Sequence, residues 1–132
     1  MEELLDFKLK KGKNDKILLF IILKKTNINY SSELKKQVID KYVSIIEKNP
    51  SIYVCVDARV VNNCSKKLAW EGASSLYKYN DLFSKNIKAV SFMISSQNII
   101  NIVKLIEKVH PFLTPTKFCK DNLDALDFLY KN

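Results

Sequence analysis

A chain of 132 residues, 47% hydrophobic and with a net charge of +8, is long enough for one domain with a real core and too apolar to remain disordered. Three cysteines, Cys55, Cys64 and Cys119, lack Cys-x-x-Cys spacing, and the lone histidine His110 completes no ligand set, so neither a disulfide framework, a metal nor a cofactor is expected. The longest apolar run, Ile17 to Leu23, is far short of the ~20 residues of a membrane span, and the start Met1-Glu2-Glu3-Leu4-Leu5-Asp6 is acidic without a signal core, which predicts a cytoplasmic protein.

Phe7 to Lys10 alternates apolar and polar, Gly12-Lys13-Asn14-Asp15 supplies turn chemistry, and Lys16 to Leu23 is an apolar run of strand length. This predicts a hairpin whose second strand lies deep in a sheet. Ser31 or Ser32 caps a helix carrying Leu34, Val38, Tyr42, Ile45 and Ile46 on one face, and Asn49-Pro50 ends it. Ile52 to Val56 reads as a strand buried on both faces. Ser65 then caps a helix with Leu68, Gly72, Ala73, Leu76 and Phe83 inward, the small pair Gly72 and Ala73 permitting close approach to the sheet. Ala89 to Ile94 is the fourth strand. Ser95 or Ser96 starts a helix with Ile99, Val103, Ile106 and Val109 inward, closing at His110-Pro111. Thr116 to Cys119 is a short strand, and Asp121 caps a last helix, Asn122 to Tyr130, that buries Leu123, Leu126 and Leu129.

The order β-β-α-β-α-β-α-β-α over residues 1–132 predicts a single α/β domain with a mostly parallel five-stranded sheet, its first strand antiparallel. With this order the chain resembles the STAS domains and the sporulation anti-sigma-factor antagonists. The tail from Leu113 to Leu129, a short strand leading into Asp124-Ala125-Leu126-Asp127-Phe128-Leu129, is similar to that family's ending. A second resemblance, carried by Lys85 to Ile94 and by Ile102 to Leu113 with its Pro111-Phe112-Leu113, is to CRAL-TRIO lipid-binding domains. The first resemblance implies a protein partner; the second implies a lipid or an anionic membrane surface.

Ligands of open parallel sheets gather at the carboxyl ends of strands, which places the corner Asp57 to Ser65 first among candidate sites. In the anti-sigma antagonists this loop carries a phosphorylated serine within Asp-Ser-Ser-Gly, and Ser65 in Asn63-Cys64-Ser65-Lys66 is the nearest counterpart by position. Ser65 is therefore a candidate regulatory phosphosite, with Lys66 and Lys67 beside it, and also a simple helix cap. Asp57 and Arg59 are expected to pair, and together with Asn62, Asn63, Lys66, Lys67 and Trp70 they form the candidate interaction surface. Cys64 at a helix start is a candidate reactive thiol, and His110 suits a helix carboxyl end.

Nothing assembles a nucleophile, a base and an orienting group, and no glycine-rich phosphate loop exists, so a non-enzymatic module without catalytic residues is expected. Arg59 is the one arginine among 22 basic residues, and the lysines are spread over every element. Sequence-specific nucleic-acid recognition, which favours arginine's forked donors, is accordingly not expected.

Overall fold

The hairpin that opens the chain sets the sheet. The computed structural model describes residues 3–132, so Met1 and Glu2 of the acidic start lie outside the described residues. Strand β1 (Leu5–Lys11) runs antiparallel to β2 (Ile17–Leu23), with Leu5 opposite Leu23 and Lys11 opposite Ile17. A 3-10 turn at Lys13–Asp15 joins them, and Asn14 and Asp15 take left-handed φ values of 57° and 62°, a region short polar side chains tolerate. A Cβ at Gly12 would meet the Tyr130 hydroxyl and the tip of Leu18, so a larger residue there would require these side chains to shift.

The rest of the chain is β3 (Asn27–Ile28), α1 (Ser32–Glu47), β4 (Ile52–Asp57), β5 (Asn63–Cys64), α2 (Lys66–Tyr77), α3 (Asn80–Asn86), β6 (Ile87–Met93), α4 (Gln97–Glu107), β7 (Thr116–Cys119) and α5 (Asn122–Lys131). The main sheet has the order β1-β2-β4-β6-β7, parallel from β2 onward. Each new strand after β2 is added on the same side. Right-handed crossovers between strands added in one direction place every connecting helix on one face. Thus α1 to α4 share a face, and only α5, which follows the last strand, covers the other.

On the α5 face Leu18, Tyr53, Cys55, Ala89, Met93 and Cys119 pack against Ala125 and Leu129. Lys16 locks this helix from its end: its Nζ donates to the carbonyls of Tyr130 at 3.0 Å and Leu129 at 3.4 Å, and lies 4.6 Å from the Tyr53 ring centroid. On the other face α1 and α3 seal the lower half around Leu19, Ile46, Ile52, Val54 and Ile87. The buried Asn86 side chain donates to the Ile46 carbonyl at 2.8 Å, fastening α3 to the end of α1. Above them, α4 packs Ile99 against Ala58, Val61 and Ile94.

The expected α/β architecture and five-stranded, mostly parallel sheet are present, with four local differences. The small parallel pair β3 and β5 stands apart from the main sheet, and each of its strands is only two residues long, too short for periodicity to show. The second helix breaks at Lys78–Tyr79 into α2 and α3, so Phe83 belongs to a separate helix. Gly72 makes no close approach, since a Cβ there would meet nothing within 4 Å. Two apolar residues expected inside face solvent: Leu123 is 81% exposed, because Ala125 and Leu129 are the residues α5 turns inward, and Val109 is 57% exposed past the end of α4.

Candidate functional site

The corner at the end of β4 is built by a paired side chain, a loop and a cap. Arg59 grips Asp57 with two bonds, Nε to Oδ1 at 3.0 Å and Nη2 to Oδ2 at 2.9 Å, while the Arg59 backbone N–H also reaches Oδ1 at 3.2 Å. The Arg59 hydrogen bond holds the Asp57 carboxyl below its usual range, more than partial burial raises it. Asn62 and Asn63 donate their backbone N–H groups to the Thr26 carbonyl, which ties the loop to the bend just before β3. Ser65 is the N-cap of α2, its Oγ accepting the Leu68 N–H at 3.0 Å, and Lys66 and Lys67 stand exposed in the first turn. Burial pushes the Cys64 thiol up, the opposite of an activated thiolate. These residues are neighbours in the chain and share one end of the sheet, where the ion pair engages Asp57 and Arg59 and the helix cap engages Ser65.

A different place holds the larger opening. Beneath α2, between the sheet and the α1–α4 layer, lies a cavity of about 380 Å³. Its floor is the sheet, through Phe7, Ile21, Val56, Val90, Phe92 and Thr116. Its walls are Val38, Ile39 and Tyr42 of α1, Phe83 of α3 and Ile106 of α4, and its roof is Ala73, Leu76 and Tyr77 of α2. The segment His110 to Thr114 forms the rim, where Pro111, Phe112 and Leu113 are open to solvent. Among the described residues no Asp, Glu, Lys or Arg lines it. The polar groups present belong to His110, Asn80, Ser84, the two threonines and the tyrosines.

Helix α2 makes its main contacts with other helices, and the cavity lies between it and the sheet. No residue of α2 is buried, and the helix rests on α4 and α1. Ala73 and Gly72 offer no side chain long enough to cross the gap. One hydrogen bond closes the outer edge: Ser74 Oγ and His110 Nε2 are 3.1 Å apart. The imidazole sits between two aromatic rings, 4.6 Å from the Tyr77 centroid and 5.3 Å from that of Trp70. Among the described residues its buried Nδ1 has no hydrogen-bond partner. The Ser74–His110 hydrogen bond tethers α2 to the turn that follows α4. Sequence reasoning missed this pair because 36 residues separate them and neither lies in a motif.

Among the described residues no group of three or more His, Cys, Asp or Glu could hold a metal ion, and no helix is long and apolar enough to cross a membrane.

This sheet order with its lopsided helix layers is an α/β fold of the STAS-like type. A crystal structure of an uncharacterized protein from the DUF3478 family with a SpoIIAA-like fold, from Shewanella loihica PV-4, superposes with a TM-score of 0.67. The match covers 96% of this chain and 94% of that one at 20% sequence identity, which establishes a shared fold. The chain itself belongs to the family described as Domain of unknown function (DUF7793), whose model matches residues 12–132. No curated protein matches it.

Proposed function

We propose that this domain is a non-enzymatic binding module whose ligand is an apolar chain or ring system seated in the cavity under α2. The observation that carries this reading is the cavity itself. Its 380 Å³ falls within the ~300–1,000 Å³ typical of ligand pockets, and its lining is mostly apolar with a few uncharged polar groups. Apolar side chains that face a void forgo packing partners, so a domain that keeps such a space unfilled gives up stability that an apolar guest would restore. The absence of charged lining residues defines the guest further. An ionised group buried there would be unpaired, at a cost of several kcal/mol. The body of the ligand is thus uncharged inside the cavity, and any charged head remains at the rim.

The test is a titration with the neutral dye N-phenyl-naphthylamine, whose emission rises in apolar surroundings. Saturable binding displaced by long-chain alcohols is expected. Ala73→Phe, which places a ring in the cavity from the roof, is expected to abolish dye binding while preserving the circular dichroism spectrum. Equal dye binding by both proteins would remove the cavity from the reading.

A second reading, a protein partner at the corner, draws on Val60, which is 40% exposed within the loop that also carries Arg59, Asn62 and Asn63. Exposed apolar residues ringed by polar ones are the usual anchors of protein interfaces. Affinity capture with Val60→Asp against the unaltered chain tests it, and equal capture would dismiss this surface.

A further inference from the structure

Eight large apolar side chains stand exposed among the described residues: Phe112 and Leu113 line the mouth of the cavity, Trp70 lies against His110 of its rim, and Leu105 and Val109 are chain neighbours of the lining residues Ile106 and His110. Leu105, Val109, Phe112 and Leu113 fall within nine residues, each between 36 and 57% exposed. Leu105 and Val109 are four apart on a helical turn that continues past α4, since the N–H groups of both Val109 and His110 reach the Ile106 carbonyl. Phe112 leans on Phe92 of the sheet, with ring centroids 5.9 Å apart. Trp70 joins them by stacking on His110. Contiguous apolar surface of this kind marks an interaction site, whereas scattered exposed residues do not.

Lysines frame the patch. Lys104 and Lys108 directly precede Leu105 and Val109, and Lys66 and Lys67 lie one turn before Trp70 on α2. All four are exposed; the acidic residues beside them are Glu107 and Glu71, the latter paired with Lys35 at 3.9 Å, so the lysines outnumber the carboxylates.

We infer that this lip docks on an anionic lipid bilayer, its five apolar side chains entering the headgroup boundary while the lysines meet anionic lipid. The charge decides between occupants. A second copy would bring these lysines toward their own equivalents in a chain of net charge +8, whereas an anionic surface attracts each of them. Tryptophan and flanking lysines suit the membrane interface, where an amphipathic ring and a long basic side chain both span apolar and wet zones. The inference rests on the cavity reading for its purpose: an apolar ligand passes between bilayer and cavity without crossing water, because the mouth opens inside the docked patch.

Vesicles of phosphatidylcholine with phosphatidylglycerol, against phosphatidylcholine alone, provide the test. The whole chain is expected to pellet with the anionic vesicles and to release as salt rises. Trp70, the sole tryptophan, is expected to shift its emission to the blue on docking. Leu105→Asp and Val109→Asp lie outside the cavity lining, so each is expected to weaken pelleting about tenfold or more, the scale of withdrawing one leucine or valine from an apolar phase, with dye binding unchanged. Lys104→Glu with Lys108→Glu, which leaves every apolar contact in place, is expected to remove most of the salt-sensitive part. The inference falls if wild type fails to pellet, if both aspartate variants pellet like wild type, or if sedimentation shows a dimer that the aspartate variants dissociate. Dye binding without pelleting would sink the docking alone, and pelleting without dye binding would sink the cavity reading alone.

Discussion

The two faces of the sheet are closed by opposite means. One helix of ten residues, α5, covers its face and leaves Cys55, Met93, Cys119, Ala125 and Leu129 with almost no exposure. Four helices cover the other face and still leave a 380 Å³ cavity. The number of helices therefore does not decide how well a face is packed. What decides it is whether a helix can sit down on the strands. Helix α5 sets Ala125 against the sheet and is fixed at both ends, by the Asp121 cap at its start and by Lys16 at its finish. Helix α2 is fixed at its start by Ser65 and propped on α1 and α4, so it spans the sheet as a roof.

This difference is sharpest under substitution to alanine. Leu129 is fully buried on the closed face, and Leu129→Ala is expected to cost about 2–5 kcal/mol by lost transfer energy and a new cavity. Leu76 lines a space that already exists, so Leu76→Ala is expected to cost about 1 kcal/mol or less. Paired urea melts measure both. Comparable losses would break the comparison, because they would mean the cavity is filled in solution by movement of α2. A bound ligand acts on the open face alone. At a hundredfold excess over its dissociation constant, an apolar ligand is expected to stabilise the chain by about 2.7 kcal/mol, and Ala73→Phe is expected to abolish the gain. Thermal melts with and without long-chain alcohol read this out.

The cap of α2 ranks next. Ser65→Ala is expected to cost about 1 kcal/mol, and Ser65→Asp, which keeps an acceptor for the Leu68 N–H, is expected to recover most of it. Since α2 has no buried side chain to hold it, loss of the cap is also expected to speed amide exchange in α2 well before α5. Equal exchange in the two helices would contradict the picture of a propped roof.

Much of the closed architecture was legible in the sequence. Apolar runs such as Ile17 to Leu23 mark strands covered on both faces, and Ser65 and Asp121 mark helix starts that hold the predicted caps. The open site was not legible, for a physical reason. Periodicity reports which side of a helix is apolar, not how far that side stands from the sheet. Leu76 and Ala73 read the same whether they touch strands or line a cavity. Val109 and Leu123 have the spacing of core residues and lie in solvent, because the elements carrying them end or turn before those positions meet a partner. The Ser74–His110 tether joins distant positions through geometry alone.

The smallest expected effect lies at the carboxyl edge of the closed face, where Asp57 and Arg59 pair within electrostatic reach of Asp121, the α5 cap. Both side chains remain partly exposed, so solvent screens the pair, and Arg59→Ala is expected to cost only about 0.5 kcal/mol at neutral pH. Its pH dependence gives the sharper test. The Asp57 carboxyl is lower in the folded chain than its ordinary 3.8, so the unfolded chain takes up a proton first as pH falls. The contribution of the pair is therefore fully present above 3.8 and is lost as pH falls through the lower, folded value. The gap in stability between wild type and Arg59→Ala should close over that acid window, while the Ser65→Ala gap, which involves no titrating group, should stay constant. Urea melts across the window measure both gaps together. An Arg59→Ala gap that persists in acid would mean that arginine acts by packing its stem over the corner and not by its charge, which would make the closed face less dependent on its ion pair than its geometry implies.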